Sequence, residues 1–134
     1  MVHQKQRVLM VDDEEEIRRS AGLWLSHAGF ETSFACDGRE GVDVARETQP
    51  DAIVLDVRMP HKDGLAALCE LQKREDTKHI PIVMLSASLI DQQRALDAGA
   101  AFFMTKPYAH AKLIAAVKAA LRDPHATINT DKTN

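Results

Sequence analysis

Five polar residues that could form an ion or phosphoryl site follow short apolar segments of the 134-residue chain. They are three carboxylates, one hydroxyl and one ammonium: Asp12, Asp13, Asp56, Ser86 and Lys106. Carboxylate oxygens are the ligands that a hard cation such as Mg²⁺ or Mn²⁺ takes in proteins. A carboxylate can also attack phosphorus while a cation, an ammonium and a hydroxyl neutralise the phosphoryl oxygens. The set predicts phosphoryl transfer to a carboxylate if the fold brings these residues together.

Taken singly, these residues have simpler structural interpretations. Asp13, with Glu16 three residues later, could cap a helix, and Asp56 could be an ordinary turn residue. Lys106 alone is typical of a solvated surface charge. If all five residues lay at one edge of a sheet, the functional interpretation would be favoured. The elements that precede these residues therefore decide between the two interpretations.

The segments before the polar residues are predicted β-strands. Four are short and almost wholly apolar, which is typical of strands covered on both faces: residues 7–11, 52–55, 82–85 and 101–104. A fifth segment, residues 31–35, alternates between apolar and polar side chains and is predicted to be an edge strand.

Helical patterns of about 10–15 residues separate the strands. Capping residues place the starts of the second, third and fourth helices at Asp37, at Asp63 or Gly64, and at Ser88 with Asp91. Strands alternating with helices predict an α/β fold with helices on both faces of the sheet. We expect a doubly wound, flavodoxin-like parallel sheet of five strands in the order 2-1-3-4-5, with five helices.

This strand order would bring the polar residues together. Ligands of such sheets bind at the carboxyl ends of the strands, where the strand order reverses. Because neighbouring strands lie about 4.8 Å apart, Asp12 and Asp13 would come close to Asp56, with Ser86 on its other side. Lys106 would start one strand further out, and its flexible side chain can reach back.

Composition limits the class of protein. The 17 basic and 20 acidic residues give a net charge of −3, so no basic field indicates direct nucleic-acid binding. No apolar run is long enough for a membrane span, and the first six residues are polar. Cys36 and Cys69, without a CxxC motif, favour reduced thiols. We expect a cytoplasmic domain over residues 1–123, followed at 124–134 by a flexible C-terminal tail or the start of a linker.

The motifs together resemble the receiver domain of two-component response regulators. The resemblance covers roughly residues 6–123 of the sequence. Four motifs carry it: Asp12-Asp13, the segment 55–60 (LDVRMP) followed by Asp63-Gly64, Ser86-Ala87, and Lys106-Pro107.

The resemblance implies a role for each matching residue. Asp56 would accept the phosphoryl group, and Ser86 and Lys106 would contact its oxygens. Magnesium would be bound by Asp12, Asp13, Asp56 and the backbone carbonyl of Arg58, with Asp12 acting largely through water. Phe103 would be the switch aromatic, and the Lys106–Pro107 peptide bond would be cis.

The resemblance also implies partners. A sensor histidine kinase or a histidine phosphotransfer protein would supply the phosphoryl group. A downstream protein target or an output domain would recognise the changed face formed by the fourth helix, fifth strand and fifth helix. A homodimer through this face is an open alternative. The domain would promote only its own phosphorylation and dephosphorylation, so we do not expect an enzyme.

Two other functions are open to the sequence. A degenerate receiver would bind proteins without phosphorylation, but the complete set of five polar residues argues against it. A phosphohydrolase acting through a phosphoaspartate usually has a second carboxylate two residues after the nucleophile, where this chain has Arg58.

Overall fold

Strands and helices alternate along the chain, as the alternating apolar and amphipathic segments predict. The computed structural model describes residues 4–59, 61–123 and 128–129. The helices are α1 (Glu15–His27), α2 (Gly38–Thr48), α3 (Gly64–Lys73), α4 (Ile90–Asp97) and α5 (His110–Arg122). The strands are β1 (Arg7–Val11), β2 (Glu31–Ala35), β3 (Ala52–Asp56), β4 (Ile82–Ser86), β5 (Phe102–Thr105) and β6 (Ile128–Asn129).

The strands form one parallel sheet in the order β2-β1-β3-β4-β5-β6. The predicted order of the first five strands, 2-1-3-4-5, is confirmed. The short strand β6 was not predicted; it pairs with β5 through Phe102 opposite Ile128 and Phe103 opposite Asn129. The rest of the predicted tail at 124–134 lies outside the described residues.

Two apolar layers enclose the sheet, because successive side chains of a strand point to opposite faces. Strands β1, β3 and β4 therefore contribute alternately to the two layers, with Leu9 on one face and Val8 and Met10 on the other. The first layer packs against α2, α3 and α4, and the second packs against α1 and α5. Because helices cover both faces of the sheet, the ends of the strands are the part of the sheet that a ligand can reach.

The capping residues of α2 and α3 are confirmed. Asp37 Oδ1 accepts a hydrogen bond from the backbone N–H of Glu40 at 2.8 Å, and Asp63 Oδ1 accepts one from Ala66 at 2.8 Å. Each cap satisfies a backbone donor that the first helical turn leaves unpaired.

The interpretation of Asp13 as a helix cap is wrong, whereas α4 begins between Ser88 and Asp91 as predicted. Asp13 is not the cap of α1, which begins after Glu14; Asp12 Oδ1 accepts the Glu14 N–H at 2.9 Å. Helix α4 begins at Ile90, and Asp91 lies inside its first turn as a buried residue. Asp13 and Asp91 are therefore available for contacts other than helix capping.

Candidate functional site

The polar residues of the predicted site lie at the carboxyl ends of the central strands. Asp56 and Ser86 are the last residues of β3 and β4, each one position beyond the predicted strand end. Asp12 and Lys106 directly follow β1 and β5. The register places Asp56 opposite Leu85, so the ends of β3 and β4 share one edge of the sheet.

Three carboxylates converge at this edge and form what we call the acidic group: Asp12, Asp13 and Asp56. One carboxylate oxygen from each residue lies within 4.8 Å of the other two. Asp12 is fully buried and Asp56 is 5% exposed, whereas Asp13 faces solvent. Converging oxygen ligands with one side open to water fit a hard divalent cation, because such a cation keeps part of its water shell.

Hydrogen bonds fix the orientation of Asp12. Its Oδ1 accepts the backbone N–H of Glu14, and its backbone carbonyl accepts a hydrogen bond from the Arg18 guanidinium at 2.7 Å. Helix α1 and its N-cap residue Glu14 thus hold the end of β1 through two separate contacts. The acidic group is preorganised on this side.

Lys106 is the cation that faces the acidic group. Its Nζ lies 3.2 Å from Asp56 Oδ1 and 3.4 Å from Asp12 Oδ2. Burial lowers the pKa of the Lys106 ammonium, but the two facing carboxylates outweigh this effect, and the pKa is raised overall. Lys106 therefore stays protonated at neutral pH.

The ionised form of Asp56 is disfavoured even though Lys106 lies beside it. Burial raises the pKa of its carboxyl, the nearby Asp12 raises it further, and Lys106 opposes both, so that the pKa is about 6. The Lys106 ammonium contacts Asp12 and Asp56, and one positive charge leaves the three carboxylates of the acidic group with excess negative charge. A divalent cation would relieve this excess, so the donor set fits Mg²⁺ by charge as well as by ligand type.

The Ser86 hydroxyl is engaged on the other side of Asp56. It donates a hydrogen bond to Asp91 Oδ2 at 2.6 Å and accepts one from the backbone N–H of Ser88 at 3.0 Å. Ser86 is 1% exposed and Asp91 is 2% exposed. We call Ser86 and Asp91 the serine–aspartate pair.

The structure adds Asp91 to this site, whereas the sequence pattern predicts only that it lies at the start of a helix. Its side chain lies on the buried face of α4, together with Ala95 one turn later. That spacing is the signal that could have identified it, because an aspartate on the apolar stripe of a helix needs a specific partner.

Arg58 and Phe103 occupy different surroundings. The Arg58 side chain is 71% exposed, and its Nη2 lies 3.6 Å from Asp91 Oδ2. Phe103 is 1% exposed and belongs to the apolar layer that contains Ala95 of α4. The aromatic ring is therefore packed on the α4 side of the sheet.

Gly64 allows the loop after β3 to fold back over the end of that strand. Its backbone N–H donates to the Val57 carbonyl at 2.7 Å, and a Cβ at this position would overlap the backbone oxygen of Asp56. Only glycine fits such a close approach. The Asp63-Gly64 motif thus combines a helix cap with a tight backbone contact.

The loop after β5 begins with a cis peptide bond between Lys106 and Pro107. The backbone N–H of Lys106 donates to the Ser86 carbonyl at 2.8 Å, which ties this loop to the end of β4. The lysine side chain therefore starts from a fixed point of the backbone.

Comparison with known proteins identifies the family. Residues 8–118 match the family described as the response regulator receiver domain. The transcriptional regulatory protein PrrA of Mycobacterium leprae is 43% identical over 123 residues, which cover 90% of this chain and 52% of that protein. A putative response regulator from Chloroflexus aurantiacus superimposes with a TM-score of 0.85 at 29% identity, covering 89% of this chain and 99% of that chain.

A third relative has a metal at its site. The receiver domain of the sensor histidine kinase PA1611 from Pseudomonas aeruginosa was solved with a magnesium ion coordinated in the active site cleft. It superimposes with a TM-score of 0.82 at 27% identity, covering 90% of this chain and 100% of that chain.

The chain belongs to the response regulator receiver domain family, since the match covers most of its length. It is a receiver domain of a two-component system, a class that accepts phosphoryl groups and binds Mg²⁺ at an acidic site. The chain spans about half the length of the transcriptional regulators that it matches, 52% and 50% for two PrrA proteins. Within the described part of the chain, every helix is too short or too polar to cross a lipid bilayer.

Proposed function

We propose that this chain is a phosphoacceptor switch that takes a phosphoryl group onto Asp56 from a sensor histidine kinase or a histidine phosphotransfer protein. The convergence of the acidic group, with carboxylate oxygens within 4.8 Å, is the observation that carries the proposal. Lys106 Nζ at 3.2 Å from Asp56 Oδ1 adds the cation that a phosphoryl oxygen needs.

Asp13, Asp56 and the backbone carbonyl of Arg58 would hold Mg²⁺ directly, with Asp12 acting through water. When bound, the ion neutralises charge on the phosphoryl oxygens. Asp13 is suited to the solvent side of such a site because it is exposed, while the buried Asp12 is fixed by α1.

Asp56 is the nucleophile of the proposed step. With a pKa of about 6, its carboxyl is mainly ionised at neutral pH. A carboxylate oxygen attacks the phosphorus of a phosphohistidine, a P–O bond forms and the P–N bond breaks. The electron pair of that bond stays on the imidazole, which leaves neutral if its other ring nitrogen carries a proton.

Lys106 and Ser86 act on the phosphoryl oxygens. The Lys106 ammonium already lies beside Asp56 and can move to the transferred group without a change of backbone. Movement of Ser86 toward the group would open space on the α4 side, where Phe103 is packed. The face of α4, β5 and α5 would then change for a protein target or an output domain.

Arg58 argues against turnover as a phosphohydrolase. It occupies the position at which that class has its second carboxylate. A guanidinium stays protonated in proteins and cannot replace a carboxylic acid as proton donor, and here it lies 3.6 Å from Asp91. Response regulators are typically non-catalytic signalling proteins. The chain would accordingly promote changes only in its own phosphorylation.

Intact mass measurement tests the proposal. After incubation with Mg²⁺ and acetyl phosphate, we expect the mass of one added phosphoryl group, and no addition when the metal is chelated. Asp56→Asn should abolish the adduct, while Asp43→Asn, which changes an exposed aspartate on α2, should retain it. A wild-type chain that gains no mass, or an Asp56→Asn variant that gains it, would contradict the proposal, and an unlabelled wild type would favour a binding module.

A further inference from the structure

We infer that Asp91 is a positioning residue that holds the Ser86 hydroxyl out of the phosphoryl site until residue 56 is modified. Ser86 would exchange Asp91 for a phosphoryl oxygen, and Asp91 would keep its arginine partner. The inference rests on the proposed function, because the exchange requires a phosphoryl group on Asp56.

The hydrogen-bond donor capacity of Ser86 is fully used within the protein. A hydroxyl has one hydrogen to donate, and Ser86 donates it to Asp91 Oδ2 at 2.6 Å. A short bond to a carboxylate is stronger than a bond between neutral groups. Ser86 also accepts the Ser88 N–H at 3.0 Å, so its oxygen is held from both sides. Ser86 cannot donate to a phosphoryl oxygen while this arrangement lasts.

The buried Asp91 carboxylate has partners besides Ser86. A carboxylate that is 2% exposed is costly unless it has partners. Arg58 Nη2 lies 3.6 Å from Oδ2, the oxygen that Ser86 also binds, and Arg94 Nη1 lies 4.0 Å from Oδ1. Asp91 therefore has cationic partners that remain when the hydroxyl leaves.

The position of Arg58 connects the exchange to the acceptor. Arg58 lies in the loop two residues after Asp56, whereas Asp91 belongs to the first turn of α4. The Arg58–Asp91 ion pair thus joins the loop of the acceptor to the helix of the signalling face. Release of Ser86 would leave Asp91 and α4 more dependent on this exposed ion pair.

The rate of labelling by acetyl phosphate at saturating Mg²⁺ is the test. Asparagine has nearly the same shape as aspartate but is uncharged, so Asp91→Asn should weaken the bond that retains Ser86. We expect Asp91→Asn to be labelled about tenfold faster than wild type. Asp97→Asn is the matched control, since Asp97 is an exposed aspartate of α4 that accepts from Gln93 Nε2 instead. Its labelling rate should equal that of wild type.

A double-mutant cycle separates positioning from a general structural effect. In the Ser86→Ala background, Asp91→Asn should leave the labelling rate unchanged, because no hydroxyl remains to be released. An equal acceleration in both backgrounds would overturn the inference, as would a rate for Asp91→Asn equal to that of wild type. Failure of the wild-type chain to label would instead contradict the proposed function.

A measurement on unsubstituted Asp91 covers the case in which Asp91→Asn does not fold. The ¹³C shift of the Asp91 carboxyl should change when wild type is phosphorylated, because the carboxylate loses a donor. In Ser86→Ala, phosphorylation should leave the shift nearly unchanged. A shift that is constant in wild type, or that moves equally in both chains, would overturn the inference.

Discussion

The two sides of Asp56 differ in whether their polar groups are already paired. On the β1 side, three carboxylates converge and one ammonium contacts two of them, Asp12 and Asp56, so that negative charge is left over. On the β4 side, the Ser86 hydroxyl and the Asp91 carboxylate bind each other. The first side offers carboxylate oxygens to a cation, whereas the Ser86 hydroxyl on the second side can donate to a ligand only after its bond to Asp91 breaks. The excess charge suits the β1 side to cation binding, while the internal bond keeps the polar groups of the β4 side paired with each other.

The difference arises from the residues that follow each strand. After β1, Asp12 and Asp13 bring two carboxylates and no cation of their own. After β4, the chain turns back so that Ser88 donates to Ser86 and α4 presents Asp91. The same parallel register thus supports a charged site on one side and a closed pair on the other.

Among the substitutions considered, removal of the Lys106 ammonium should change the free energy of unfolding most. Lys106→Met leaves the carboxylates of Asp12 and Asp56 without their ammonium, and loss of one partner of a largely buried pair costs about 3 kcal/mol. We expect this loss in the free energy of unfolding by urea at pH 8 without metal. The loss should be smaller at pH 5, where Asp56 is mainly protonated. An equal loss at both pH values would contradict this explanation.

Removal of Asp13 should weaken metal binding with little effect on the fold. Asp13 is an exposed member of the acidic group, so Asp13→Ala should lower the Mg²⁺ affinity by at least about tenfold in calorimetric titration. The metal-free stability should not fall, because a like charge has been removed. Glu15→Ala, an exposed acidic residue of the first turn of α1, is the control and should retain the affinity. An unchanged affinity of Asp13→Ala would place the metal elsewhere.

The pH dependence of stability should reveal the strain at Asp56. Its folded pKa of about 6 exceeds the ordinary value of 3.8, so the folded chain binds more protons than the unfolded chain between these values. Stability of the metal-free protein therefore falls as pH rises through this window. Asp56→Asn lacks this loss and should be more stable than wild type at pH 8 by about 1 kcal/mol, allowing for solvent screening.

The gain from Asp56→Asn should disappear near pH 4, where wild-type Asp56 is protonated in the folded chain. Thermal unfolding at both pH values in the presence of a chelator provides the measurement. A gain that persists at pH 4 would show that the carboxyl charge is not its cause.

The smallest effect is expected at Arg94. Its Nη1 lies 4.0 Å from Asp91 Oδ1 and its side chain is 67% exposed, so Arg94→Ala should change the free energy of unfolding by less than about 0.5 kcal/mol. The acetyl phosphate labelling rate should stay at the wild-type value, because the Ser86 bond goes to the other oxygen. A large loss of stability would show that the β4 side depends on both arginines.

Much of the fold could be predicted because its strands are short apolar segments between capped helices. Asp37 and Asp63 mark two helix starts, and each is confirmed by its hydrogen bond. The meeting of Asp12 with Asp56 follows from the strand order, because both lie at strand ends in neighbouring strands. Their roles in phosphoryl transfer stay predictions.

The role of Asp91 and the presence of β6 could not be predicted, because they depend on contacts that the local sequence does not encode. Asp91 satisfies the rule for a residue near a helix start, and only the packing of α4 on the sheet shows that it is buried against Ser86. Strand β6 has two residues and no apolar run, so its pairing with β5 leaves no periodic pattern.

The backbone of Asp56 is fixed from several directions. Asp56 is paired in register with β4, the next N–H donates to the Leu85 carbonyl at 2.9 Å, and Gly64 closes over the backbone oxygen of Asp56. If Asp56 accepts a phosphoryl group, as we propose, the added group would meet a main chain that these contacts hold in place. Its added volume and charge would then have to be accommodated by the loops beside the strand rather than by the strand itself.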